Sequence, residues 1–140
     1  MVIGAIFAGG IGSRMGSADM PKQYLQLGSK PIIVHTIEKF VVNPGIDRII
    51  GLCPKAWIAH TKDLVQKYLG EAIAEKINVV ERGSTRNGTL ENALKFINEN
   101  FAIDDDSVIV THDAVRPFVT HRIIDENIEA AKKYGACDTV

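Results

Sequence analysis

The sequence predicts an α/β domain, doubly wound, with a mostly parallel sheet and helices on both faces. Three observations carry that expectation. Short runs of Val, Ile, Leu and Phe alternate four times with amphipathic segments. The runs are too uniformly apolar for strands open to water on one face, so they belong inside a parallel sheet covered on both sides. Polar stretches at 9–16, 83–89 and 112–117 each come directly after such a run. That is the end of the strand at which doubly wound sheets take their ligands.

The first strand is Val2-Ile3-Gly4-Ala5-Ile6-Phe7-Ala8, and it runs into the bend Gly9-Gly10-Ile11-Gly12-Ser13-Arg14-Met15-Gly16. Glycines placed there let the backbone approach a ligand, with bare N–H groups free to point at phosphate oxygens. Arg14 lies in the bend and Lys22 just beyond it, in Met20-Pro21-Lys22-Gln23. A strand, an amide-rich bend and two cations make a cradle for a polyphosphate. Residues 17–30 read as a loop around Pro21 and Gly28.

A helix is expected from Pro31, a good first helical residue. Ile33, Val34, Ile37, Phe40 and Val41 recur along it at helical spacing, and Asn43-Pro44-Gly45 stops it. Residues 48–53 form the second strand, and Pro54 introduces a helix over about 56–69, with Trp57 among its packing residues. His35 and His60 are ordinary helix residues, not ligands. Residues 77–80 make a short strand, and Ser84 or Thr85 caps the next helix. Leu90, Ala93, Leu94 and Ile97 form its apolar face. The triplet Asp104-Asp105-Asp106 reads as a solvated turn, since adjacent carboxylates rarely converge on one ion. Residues 107–111 give another strand, Thr120 caps a helix with Ile123, Ile124, Ile128 and Ala131 inward, and Gly135 closes it. A further strand begins at Ala136.

Residues 1–140 are one domain's worth, with 46% apolar and 24% charged residues. A net charge of −1 argues against a nucleic acid held by bulk electrostatics. Cys53 and Cys137 have no motif spacing and read as free thiols in a reducing compartment. The N-terminus lacks the basic segment of a signal peptide, and no apolar run approaches membrane-spanning length. A cytoplasmic protein with no membrane partner is expected.

The dinucleotide fingerprint G-x-G-x-x-G is broken by Met15, and no Gly-Lys-Ser/Thr closes a P-loop. What stands is A-G-G-x-G-x-R-M followed by P-K-Q. This pair resembles the signature of the sugar-phosphate and alditol-phosphate nucleotidyltransferases, above all the cytidylyltransferases of the methylerythritol-phosphate and ribitol-phosphate type. Gly83-Ser84-Thr85-Arg86-Asn87-x-Thr89 is similar to the family's G-x-x-R-x-x-S/T segment. His112-Asp113-Ala114-Val115-Arg116-Pro117 is similar to its H-D-A-x-R-P element.

The resemblance implies a Rossmann-like fold of the nucleotide-diphospho-sugar transferase type, here as the N-terminal part. Family members run well beyond this length, and their remainder supplies a dimerisation arm, a second aspartate and residues that hold the acceptor. It also implies attack by an alditol phosphate oxygen on the α-phosphorus of CTP, with pyrophosphate leaving. Arg14 and Lys22 would be the catalytic cations. Ala8, Gly9, Gly10, Gly12, Gly83, Ser84, Arg86, Thr89, Asp113 and Ala114 would bind CTP, with Ala8, Gly83 and Thr89 reading the base and Ser84 and Ala114 flanking the ribose. Mg2+ would sit beside Asp113, and the full-length protein would be a homodimer.

Ser84 departs from the acidic residue of many methylerythritol members. Val115 and the Arg86-Asn87-x-Thr89 pattern favour ribitol 5-phosphate as acceptor. 2-C-methyl-D-erythritol 4-phosphate, in isoprenoid synthesis, is the alternative. A nucleotide-binding module without catalysis is a reading of another class. An NAD-dependent oxidoreductase is disfavoured by the broken fingerprint and by Cys53-Pro54-Lys55, where an acidic residue should follow the second strand.

Overall fold

Six consecutive buried residues, Val2–Phe7, form the central strand β1. The computed structural model describes residues 1–9 and 20–135. After β1 come a short antiparallel pair, β2 (Gln26–Leu27) and β3 (Lys30–Pro31), and helix α1 (Ile32–Val41). They are followed by β4 (Arg48–Cys53), α2 (Ile58–Leu69), the single turn α3 (Glu71–Ala74) and β5 (Ile77–Glu81). The chain continues through α4 (Arg86–Asn100), β6 (Val108–Asp113) and α5 (His121–Tyr134).

The main sheet has the order β5-β4-β1-β6, and every pair in it is parallel. β1 therefore has a strand on each side, and helices on both faces cover its six residues. Alternation sends Val2, Ile6 and Ala8 into one core layer with Ile33, Ile37, Phe40, Val65, Ile124 and Ile128. Ile3, Ala5 and Phe7 go into the other, with Ile50, Leu52, Ala93 and Ile97. So α1, α2 and α5 cover one face and α4 the other, the doubly wound arrangement expected. Right-handed crossovers require it: the chain steps outward from β1 to β4 to β5 over one face and must return to β6 over the opposite one. Gly4 allows α1 to lie close against β1, because a Cβ there would sit 2.8 Å from a Phe40 ring carbon.

Several elements depart from the sequence expectation. The loop over 17–30 contains, in its described part, a 3-10 turn at Lys22–Tyr24 and the β2–β3 hairpin. Gly28, at φ +66, opens the two-residue hairpin loop in the way a II′ turn requires. Pro31 stands just before α1 rather than within it. A 3-10 turn at Lys55–Trp57 precedes α2, which begins at Ile58. β6 reaches Asp113, past the expected end at Thr111, because its ladder continues through His112↔Ile6 and Asp113↔Phe7. Leu94 is 44% exposed and lies outside the core, because α4 meets the sheet along a narrow stripe centred on Ala93 and Ile97. The expected strand from Ala136 lies outside the described residues, as does Cys137.

Candidate active site

β1 and β6 are neighbours, yet the chain leaves β1 toward β4 and reaches β6 only by returning from β5 over the opposite face, so the strand order reverses between their carboxyl ends. A cleft of about 460 Å³ opens there. Three chain segments build it, and each is held by identifiable contacts.

The first is the exit of β1. The Ala8 amide donates to the Leu52 carbonyl at 2.7 Å. The Ala8 carbonyl accepts from Gln23 Nε2, also at 2.7 Å, and Gln23 is fully buried. Next to Gln23, Tyr24 stacks on Trp57 with ring centroids 4.7 Å apart. The Tyr24 hydroxyl lies 2.6 Å from Thr61 Oγ1. Thr61 Oγ1 also lies 2.8 Å from the Trp57 carbonyl and 3.6 Å from Cys53 Sγ, so the three side chains form one buried group. Burial pushes the Tyr24 hydroxyl well above its ordinary pKa, and it raises the adjoining Cys53 thiol as well. Two anchored residues therefore hold exposed Lys22 at the cleft.

The second segment joins β5 to α4. Thr85 caps α4, its Oγ1 accepting from the Gly88 amide at 2.9 Å. Thr89 Oγ1 accepts from the Gly83 amide and donates to the Thr85 carbonyl, both at 3.0 Å. Gly83 is thereby drawn against the helix start. A Cβ on it would stand 2.2 Å from the Gly88 carbonyl carbon, so no side chain fits.

The third segment ends β6. His112 Nε2 meets the Arg116 carbonyl at 2.8 Å, and the Arg116 amide donates to the Asp113 carbonyl at 3.1 Å. Asp113 accepts from Arg86 Nη1 at 2.8 Å and lies 3.5 Å from Arg116 Nε. Arg86 also lies over the Phe7 ring, 4.9 Å from its centroid. One guanidinium thus joins the second and third segments across the end of β1. Its side chain is 63% exposed, so the pair adds little stability and orients the carboxylate more than it holds the fold.

Among the expected residues, Ala8, Gly9, Lys22, Gly83, Ser84, Arg86, Thr89 and Asp113 line this one cleft. Gly10, Gly12 and Arg14 lie outside the described residues. Ala114, expected beside the ribose, is fully buried, its amide donating to the Phe7 carbonyl and its carbonyl accepting from Thr36 Oγ1. It belongs to the core layer, and its neighbour Val115 lines the cleft. The acidic turn at 104–106 is a local knot as expected, with Asp104 Oδ1 accepting from the Asp106 amide. Among the described residues no cluster of three or more His, Cys, Asp or Glu could hold a metal. Sequence reasoning passed over Gln23 and Arg82, both of which line the cleft. Each stood next to a residue already chosen, Lys22 and Gly83, and that adjacency was the signal available.

Parallel strands, a cleft where their order reverses, and Lys22, Arg82 and Arg86 lining it define a doubly wound α/β protein of the ligand-binding kind. Residues 2–140 match the family model for IspD, 2-C-methyl-D-erythritol 4-phosphate cytidylyltransferase, and the chain belongs to that family. It is 28% identical to the 4-diphosphocytidyl-2C-methyl-D-erythritol synthase of Anaerococcus prevotii DSM 20548. That match has a TM-score of 0.70 and covers 95% of this chain and 51% of the other. A second structure of a 4-diphosphocytidyl-2C-methyl-D-erythritol synthase gives 23% identity and a TM-score of 0.72 over 95% and 55% of the two chains. The bifunctional IspDF of Campylobacter jejuni gives 21%, 0.69, 94% and 31% for the same quantities. The latter two likenesses bear on the fold alone. The chain spans about half the length of the first two structures.

Proposed function

We propose that the protein transfers a cytidylyl group from CTP to an alditol phosphate and releases pyrophosphate. The observation that carries this reading is the convergence of Gly9, Lys22, Gly83, Arg86 and Asp113 on one cleft in a chain of this family. Two anions must meet for the reaction to proceed, so the protein's task is positioning and neutralisation of charge. The amides of the bend after β1 hold the triphosphate. Lys22, with Arg14, stabilises the charge that builds on the α-phosphate and on the departing pyrophosphate. The collar at Gly83 admits the base edge to a backbone surface that no side chain obstructs.

Mg2+ supplies neutralisation of phosphate charge when bound. The donor set fits it: one carboxylate, Asp113, is the number typical of a site in which substrate phosphates provide most other ligands. Asp113 would hold it, and Arg86 fixes where that carboxylate points until then.

For the acceptor, Val115 and the Arg86-Asn87-x-Thr89 pattern point to ribitol 5-phosphate, whereas the family match favours 2-C-methyl-D-erythritol 4-phosphate. We take the second as the acceptor. Pyrophosphate release from CTP and Mg2+, measured with each alditol phosphate in turn, tests both levels. Faster turnover on ribitol 5-phosphate would reverse the acceptor, and no release with either would remove the activity. No helix among the described residues is long and apolar enough to cross a membrane.

A further inference from the structure

Arg82 lines the cleft with Gly9 and Gly83, and the proposed transfer gives it no role. Its Nε is fully buried and has no hydrogen-bond partner among the described residues. Nη1 donates to the Gly83 carbonyl at 3.2 Å, a neutral partner that leaves the charge unmatched. Arg82 takes part in none of the ion pairs among the described residues. Its stem lies against Gly9, Cδ being 3.0 Å from the position a Cβ would take there. Its backbone is fixed independently, because the Arg82 amide donates to the Cys53 carbonyl at 2.8 Å. A guanidinium is always charged, and sheltering part of it from water without a counter-ion is unfavourable. Its planar fork suits phosphate oxygens, which can accept two parallel N–H bonds.

We propose that Arg82 is a substrate-contacting residue that binds the phosphate chain of the nucleotide, a cation added to Lys22 in the same cleft. The proposal rests on the nucleotide reading of the cleft. It also explains why a glycine stands at position 9, since a side chain there would push the Arg82 stem away.

Titration calorimetry of wild type, Arg82→Gln and Arg82→Lys, using CTP, cytidine and inorganic tripolyphosphate as probes, tests it. Arg82→Gln should weaken CTP and tripolyphosphate by about tenfold to a hundredfold and leave cytidine unchanged. Arg82→Lys should recover part of the loss, and an unaltered melting temperature would show that the fold is intact. Unchanged affinity for CTP and tripolyphosphate would overturn the proposal, as would an equal loss for cytidine or a wild type that binds neither phosphate probe. Should Arg82→Gln weaken tripolyphosphate while wild type shows no preference for CTP over other nucleoside triphosphates, Arg82 keeps its role and the cytidylyl reading falls.

Discussion

Lys22 reaches the cleft from a segment whose next two residues are both buried, Gln23 on the Ala8 carbonyl and Tyr24 between Trp57 and Thr61. The Lys22 side chain is therefore exposed while its backbone is anchored. Lys22→Ala should lower single-turnover rates by orders of magnitude, about a hundredfold or more, because it removes charge stabilisation from the transition state. Asp105→Ala, on the acidic turn, should leave those rates nearly unchanged. The buried Tyr24 hydroxyl supplies a pH prediction. Its folded-state pKa is raised above the unfolded value, so its contribution is complete below an unfolded pKa of about 10 and is lost as pH rises through the folded value. Cys53 acts with the same sign from about pH 8.5 upward. Melting temperatures between neutral and strongly alkaline pH should decline steeply for wild type and more gently for Tyr24→Phe; parallel declines would remove Tyr24 from the account. Gln23 and Arg82 were not legible in the sequence for one reason. Their meaning depends on Ala8 and Gly9, which are distant in sequence and brought near only by the sheet.

The β5–α4 connection shows the same physics one level up. Its collar depends on a hydroxyl at Thr89 and on the absence of a side chain at Gly83. Thr89→Val keeps the shape but leaves the Gly83 amide without its acceptor, a loss of about 1–3 kcal/mol. Gly83→Ala should damage the site more, since the new methyl would fall within bonding-scale distance of the Gly88 backbone. Both variants should lose CTP affinity in calorimetry, Gly83→Ala the more; an alanine variant that binds as wild type would show that the collar tolerates opening. The motif alone suggested that Thr89 reads the base, while its hydroxyl is committed to the collar. The elements themselves were largely legible. β4 occupies the residues expected, and Thr85 and Thr120 cap their helices through hydrogen bonds to Gly88 and Ile123. The β2–β3 hairpin was not, because strands of two residues carry no period to read. The burial of Ala114 was not legible for a related reason: the motif marks a stretch of chain, whereas burial is decided residue by residue.

Across the whole molecule the fold rests on β1 and β4, whose side chains fill both core layers. Ile50→Ala, at a fully buried position facing α4, should cost about 2–5 kcal/mol, read as a lowered denaturation midpoint. The doubly wound topology was legible because apolar runs of that kind have no other stable setting. β6 differs from β1 in having a ladder on one side only among the described residues. The amides of Val108 and Ala114 point toward β1, bonding the carbonyls of Met1 and Phe7, and strand alternation turns those of Ile109, Thr111 and Asp113 the other way. Deuterium uptake should therefore stripe this strand, slow at even positions and rapid at odd ones, while Ile3 to Phe7 stay uniformly dark.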